Sequence, residues 1–160
     1  MNLRTAWTAA AFALGLALTQ GGPAAAGPFS DLSGDWSGGG HLTMSDGKRE
    51  RLRCRANYAV GQGGDTVDFG IRCASDSYKF DLSGYLRNNN GTVSGQWSET
   101  NFNSAGTLSG QANGSRINAR AVGSTFSAGF SMSTSGGRQS VTIRPEAPQV
   151  RQVSLSLNKR

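Results

Sequence analysis

The sequence predicts an all-β fold: an antiparallel meander of about eight to ten strands, closed most simply into an up-and-down β-barrel. Three observations carry this. Apolar residues recur at every second position through most of the chain, the period of a strand with one face shielded from water. Short turn-forming stretches rich in Asn and Gly separate these runs, with no helical period between them. One pairing of two neighbouring runs aligns their apolar faces and brings the only two cysteines together. The 23 glycines, with many Ser, Thr and Asn, resemble a disordered composition. The sustained alternation argues against that reading.

The first segment stands apart from the fold. Met1 to Arg4 carries one positive charge, Ala6 to Leu18 is apolar, and Ala24-Ala25-Ala26 supplies the small residues of a cleavage site. This is the pattern of a signal peptide spanning 1–26, cut near Ala26, and its apolar run is shorter than the ~20 residues of a membrane-spanning helix. The expected location is the periplasm or the medium. Residues 27–160 then form a single barrel domain, enough chain for one core.

An opening strand is expected from Leu32 to Met44. Leu52, Cys54, Ala56, Tyr58 and Val60 alternate with Arg51, Arg53, Arg55, Asn57 and Ala59, and after a glycine-rich turn the pattern resumes as Val67, Phe69, Ile71 and Cys73. Folding the two runs about Gly63-Gly64 sets Val60 opposite Val67, Tyr58 opposite Phe69, Ala56 opposite Ile71 and Cys54 opposite Cys73. A slip by one residue would place each apolar side chain opposite a polar one, so the register is well specified. Tyr78, Phe80 and Leu82 continue on one face after the turn at Ala74-Ser75-Asp76-Ser77. The stretch Asn88-Asn89-Asn90-Gly91 reads as a hairpin turn that sets Leu86 opposite Val93 and Leu82 opposite Trp97. Asn113-Gly114 joins Leu108-Gly110-Ala112 to Ile117-Ala119-Ala121, and Ser135-Gly136-Gly137 joins Phe126-Ala128-Phe130-Met132 to Val141 and Ile143. Residues 145–149, with Pro145 and Pro148, connect to a last strand through Val153, Leu155 and Leu157. Ser-Gly pairs recur before Asp35, Tyr85, Gln96 and Gln111. Glycine inside a strand lets a sheet bend sharply or approach another backbone, as a tight barrel requires.

Gly34-Asp35-Trp36 resembles the Gly-x-Trp start of lipocalin and avidin-like barrels, and Arg116-Ile117-Asn118-Ala119 is similar to avidin strand texture. The aromatic and polar array that holds biotin in that family has no counterpart here, so biotin binding is not implied. Arg53-Cys54-Arg55-Ala56-Asn57-Tyr58 and Arg72-Cys73-Ala74-Ser75-Asp76-Ser77-Tyr78-Lys79-Phe80, with Gly95-Gln96-Trp97-Ser98-Glu99 downstream, resemble a group of small exported bacterial proteins with no assigned activity. That resemblance implies export and a shared β fold, and brings no chemistry with it.

The candidate sites are few. Two cysteines without Cys-x-x-Cys spacing, and a single histidine, His41, fit a structural disulfide better than a metal or redox centre. No paired catalytic constellation is readable, so the expected protein is non-catalytic and needs no cofactor or metal. Ser75-Asp76-Ser77 lies in a turn with no base at readable spacing. Glu99, beside Trp97, is a candidate for a raised pKa but has no second carboxylate. The preferred function is binding of a small apolar or amphipathic ligand among Trp36, Tyr58, Phe69, Phe80, Trp97 and Phe130, as carrier or sensor. The alternative uses Arg49, Arg51, Arg53 and Arg55, with Arg72 on the next strand, to hold an anionic envelope polymer or protein partner. In the register above Arg51 faces Asp76, while Arg55 opposes Arg72 without relief. The net charge of +6, or +5 without Arg4, favours anionic envelope partners over nucleic acid in that compartment. A small outer-membrane barrel is a further alternative, because period two does not say which face is outward. Against it stand a mean hydropathy of −0.39 and a polar C-terminal Asn158-Lys159-Arg160.

Overall fold

A computed structural model describes residues 25–160; the expected signal sequence up to residue 24 lies outside the described residues. Ten antiparallel strands form a closed barrel in which each strand pairs with its neighbours in sequence, and the first pairs with the last. The strands are β1 (Gly34–Met44), β2 (Arg49–Gly61), β3 (Thr66–Ala74), β4 (Lys79–Asn89) and β5 (Thr92–Glu99). They continue as β6 (Ser104–Asn113), β7 (Arg116–Gly123), β8 (Ser127–Ser135), β9 (Arg138–Pro145) and β10 (Val150–Lys159). Among the described residues no helix is long and apolar enough to cross a membrane.

The register predicted for β2 and β3 is the one observed, with Val60, Tyr58, Ala56 and Cys54 facing Val67, Phe69, Ile71 and Cys73. Cys54 and Cys73 are disulfide-bonded, their Cα atoms 4.2 Å apart. The pairing of β6 with β7 also follows the sequence reading, with Ala112 opposite Ile117 and Leu108 opposite Ala121.

Two expectations need correction. Leu32 does not open β1. It ends a short 3-10 turn, Ser30–Leu32, and the strand starts at Gly34, whose φ of 108° is a conformation that favours glycine. The β4–β5 register is shifted by two residues: Leu86 faces Gly95, and Gly84 faces Trp97. The reason is the turn. Asn90 and Gly91 alone make the connection, both at positive φ (50° and 89°), as a tight two-residue hairpin requires. Because the shift is even, every side chain keeps its expected face.

The apolar face of every strand points inward. The outer wall is mostly polar and charged, with Ser, Thr, Asn, Gln and Arg prominent, and Val122 is the exposed large hydrophobic on the described strands. This is the reverse of a lipid-facing barrel, and the outer-membrane alternative is set aside on that ground.

The two ends differ. At one end the chain before β1 folds across the opening, burying Phe29 and Leu32 completely against the barrel residues Trp36, Val67, Val93, Ile117 and Leu157. The segment is tied down by backbone bonds from Gly27 to Gly63 and from Phe29 to Gly64. The other end carries the longer loops, and among the described residues no such plug covers it. Inward side chains near it, including Ile71, Phe80, Leu82, Phe126 and Ile143, are only partly buried.

Candidate functional site

The sealed end is held by directional contacts as well as packing. Trp36 Nε1 donates to the Leu32 carbonyl at 2.6 Å, and the Trp36 and Tyr58 rings meet edge to face with centroids 6.4 Å apart. Tyr58 Oη donates to Gln139 Oε1 at 2.9 Å. Burial pushes the Tyr58 phenol up to about 12, partly opposed by that hydrogen bond. Of the six aromatic residues expected to meet a ligand, Trp36 and Tyr58 therefore lie in the floor of the barrel, beneath its filled centre.

The other four stand higher. Trp97 is buried, while Phe69, Phe80 and Phe130 are partly exposed. Phe69 on β3 sits against Gly84 of the next strand, and Trp97 on β5 against Gly123 of β7, two strands away. A Cβ on Gly84 would stand 2.5 Å from Phe69, and one on Gly123 would stand 2.5 Å from Trp97. The space left by these glycines is thus partly filled by aromatic rings. Trp97 also packs against Phe126, and Phe80 against Tyr78 and Phe102, with centroid separations of 5.2, 6.4 and 5.9 Å. Phe102, on the loop between β5 and β6, is 49% exposed. Tyr78, Phe80, Phe102, Phe126, Ile71 and Leu82 together give the open end an apolar rim. Sequence reasoning missed Phe102, because a single aromatic in a polar loop carries no period.

The polar groups near this rim hold loops in place. Glu99 is buried and accepts the backbone N–H of Asp81 (2.7 Å) and of Phe102 (2.5 Å), and the Asn101 side-chain amide (3.2 Å). Burial pushes its carboxyl up, but these donors together pull further the other way, leaving it below the ordinary carboxylate value. The expected raised-pKa acid is thereby corrected: a carboxylate meeting several N–H donors is stabilised as the anion. Ser75 Oγ donates to Glu50 at 2.6 Å and accepts the Tyr78 N–H at 3.0 Å, so this serine locks the β3–β4 turn. His41 stands exposed on the outer wall opposite Arg51 and Ser154, away from Ser75 and Glu99. Among the described residues no group of three His, Cys, Asp or Glu is placed to hold a metal ion.

Arg49, Arg51, Arg53 and Arg55 project outward along β2 and are all exposed. Arg72 is paired: its Nε lies 3.1 Å from Asp81 on β4. Arg55 faces Arg72 directly, as expected. Arg51, expected opposite Asp76, faces His41 on β1, because β3 ends at Ala74 and Asp76 lies beyond it in the turn.

Two depressions of about 350 and 360 Å³ both lie outside the barrel. One is beneath the sealed end beside Gly27 and Asn88, and the other is on the wall around Gly129.

The architecture has relatives among solved structures. Rv2717c from M. tuberculosis superposes with a TM-score of 0.61 at 14% identity, covering 82% of this chain and 94% of its own. The S-type phycobiliprotein lyase CPES from Guillardia theta gives a TM-score of 0.56 at 11% identity, covering 82% and 89%. The likeness is one of fold. No family model and no curated protein matches the chain.

Proposed function

We propose that this is an exported binding protein for a small apolar or amphipathic ligand, taken at the open end of the barrel. The observation that carries the reading is the asymmetry of the interior. Phe29 and Leu32 seal one end completely, whereas inward-facing Phe69, Ile71, Phe80, Leu82 and Phe130 keep solvent-accessible surface beneath the other. Apolar surface left wet inside a concavity is the kind a hydrophobic ligand covers, at about 25 cal/mol for each Å² removed from water. Trp97 and Phe126 form the deeper wall, and Phe102 with Phe80 the lip. The disulfide fits an oxidising compartment, in keeping with export.

Native mass spectrometry of protein purified from its own host tests this. A co-purified apolar small molecule is expected, lost or reduced in Phe80→Ser. Bare protein from both preparations overturns the reading. Because a phycobiliprotein lyase shares the architecture, a bound molecule chemically altered on incubation with the protein would replace the binding role with an enzymatic one.

A further inference from the structure

We propose that the outer wall over β2, β1, β10 and β9 is a docking face for an acidic polysaccharide. The strand registers build this face in rows. Arg53 is followed across the wall by Gly39, Ser156, Ser140 and Ser133. The next row toward the open end runs Arg51, His41, Ser154, Thr142 and Ser131. The next row toward the sealed end starts at Arg55, passes Ser37 and Asn158, and meets Arg138 on β9. The result is a lane mostly of short hydroxyl side chains, with Gly39, His41 and Asn158 among them, bordered by the arginine column on one side and by Arg138 and Arg144 on the other.

The dimensions suit an extended chain. Alternate residues along β2 place the arginines about 6.6 Å apart, and three strand spacings separate β2 from β9 by about 14 Å. Arg49, Arg51, Arg53 and Arg55 take part in no ion pair among the described residues. The carboxylate within the lane, Asp35, is held by the Asn57 side-chain amide at 2.9 Å near the sealed end.

Charge complementarity requires an anionic partner, and the uncharged part of the lane decides its class. Guanidinium groups take carboxylates in bidentate fashion, while rows of Ser and Thr exchange direct and water-bridged hydrogen bonds with sugar hydroxyls. A single-stranded nucleic acid relies on aromatic platforms for its bases, and no Trp, Tyr or Phe points outward from these strands. Anionic lipid headgroups would meet the arginines alone, because the lane offers no apolar side chain to insert, and the vesicle arm of the test below separates that partner from a polysaccharide. The lane and the barrel interior lie on opposite sides of the wall, so this role is independent of the ligand reading.

The test measures binding of the mature protein to polygalacturonate, with dextran of matched length as the neutral control. Expected are binding to polygalacturonate alone, tighter for longer chains, and weakening by about tenfold between about 50 and about 300 mM salt. Arg51→Ser with Arg53→Ser should weaken binding by about tenfold or more, and so should the charge-neutral pair Ser140→Leu with Ser156→Leu, which fills the lane. Arg87→Ser removes one charge from the sealed end of β4, outside the lane, and should leave affinity within about twofold. Equal loss in that last variant, no loss in the serine variant, or tighter binding to single-stranded DNA or phosphatidylglycerol vesicles than to polygalacturonate would each overturn the proposal.

Discussion

Tyr58 is buried against Trp36 with its phenol pushed up to about 12 by burial, and this ties one side chain to the pH range over which the barrel holds. Below pH 10 the phenol is protonated in both the folded and the unfolded chain, so its contribution is complete. Between about pH 10 and 12 the unfolded chain loses the proton first, and stability falls by roughly 2–3 kcal/mol before levelling off. Tyr58→Phe should remove that alkaline decline. At neutral pH it should cost about 1–3 kcal/mol, because Gln139 Oε1 is left buried without its donor. Urea midpoints of both proteins at pH 7 and at pH 11 test the two effects separately. At this scale the sequence was half legible: period two placed Tyr58 on the apolar face of β2, but Gln139, a polar residue at an inward position, shows its reason only when β9 stands across the barrel from β2. Glu99 was misjudged for the same reason, since its donors come from the far end of β4 and from its own loop.

The strands are shaped by where side chains are missing. A Cβ on Gly95 would stand 1.9 Å from the Tyr85 carbonyl oxygen, and one on Gly110 would stand 2.1 Å from that of Asn118. Backbone of a paired strand cannot step aside as a flexible side chain can. Gly95→Ala and Gly110→Ala should therefore each destabilise by about 1–3 kcal/mol. Gly70 and Gly129 meet nothing within 4 Å at the same construction. There Ala should be neutral or stabilising by roughly 0.5–1 kcal/mol, since it only narrows the unfolded ensemble. Thermal unfolding of the four variants separates the classes, and a loss at Gly129 equal to that at Gly95 would refute the explanation. The Ser-Gly repeat in the sequence pointed to Gly84, Gly95 and Gly110 as bending positions. It could not show that Phe69 would lie across the gap at Gly84, because that ring comes from the adjacent strand.

For the whole molecule, the disulfide links β2 to β3 across a pairing the apolar faces already specify. Its main effect is to shorten the unfolded chain's reach. Cys54→Ser with Cys73→Ser should keep the barrel but lower stability by about 3 kcal/mol, read as a lower denaturant midpoint with an equal or steeper slope, because the freed unfolded chain exposes more surface. A collapsed slope or lost near-ultraviolet signal would instead mean that the bond holds the fold itself. The larger organisation is the difference between the plugged end and the open end, and both functional proposals depend on the closed cylinder: one on its interior, the other on its outer wall.

What the sequence by itself determined was strand identity, which residues share a face, the β2–β3 register and the cysteine pairing, because each follows from local alternation and from turns of a few residues. Closure of β1 onto β10, the folding of Phe29 and Leu32 across one end and the assembly of serine rows from four strands were decided only by the tertiary structure. These contacts join residues far apart in sequence, or on strands not adjacent in the first hairpin. Their geometry is set by the curvature of the whole barrel rather than by any local pattern.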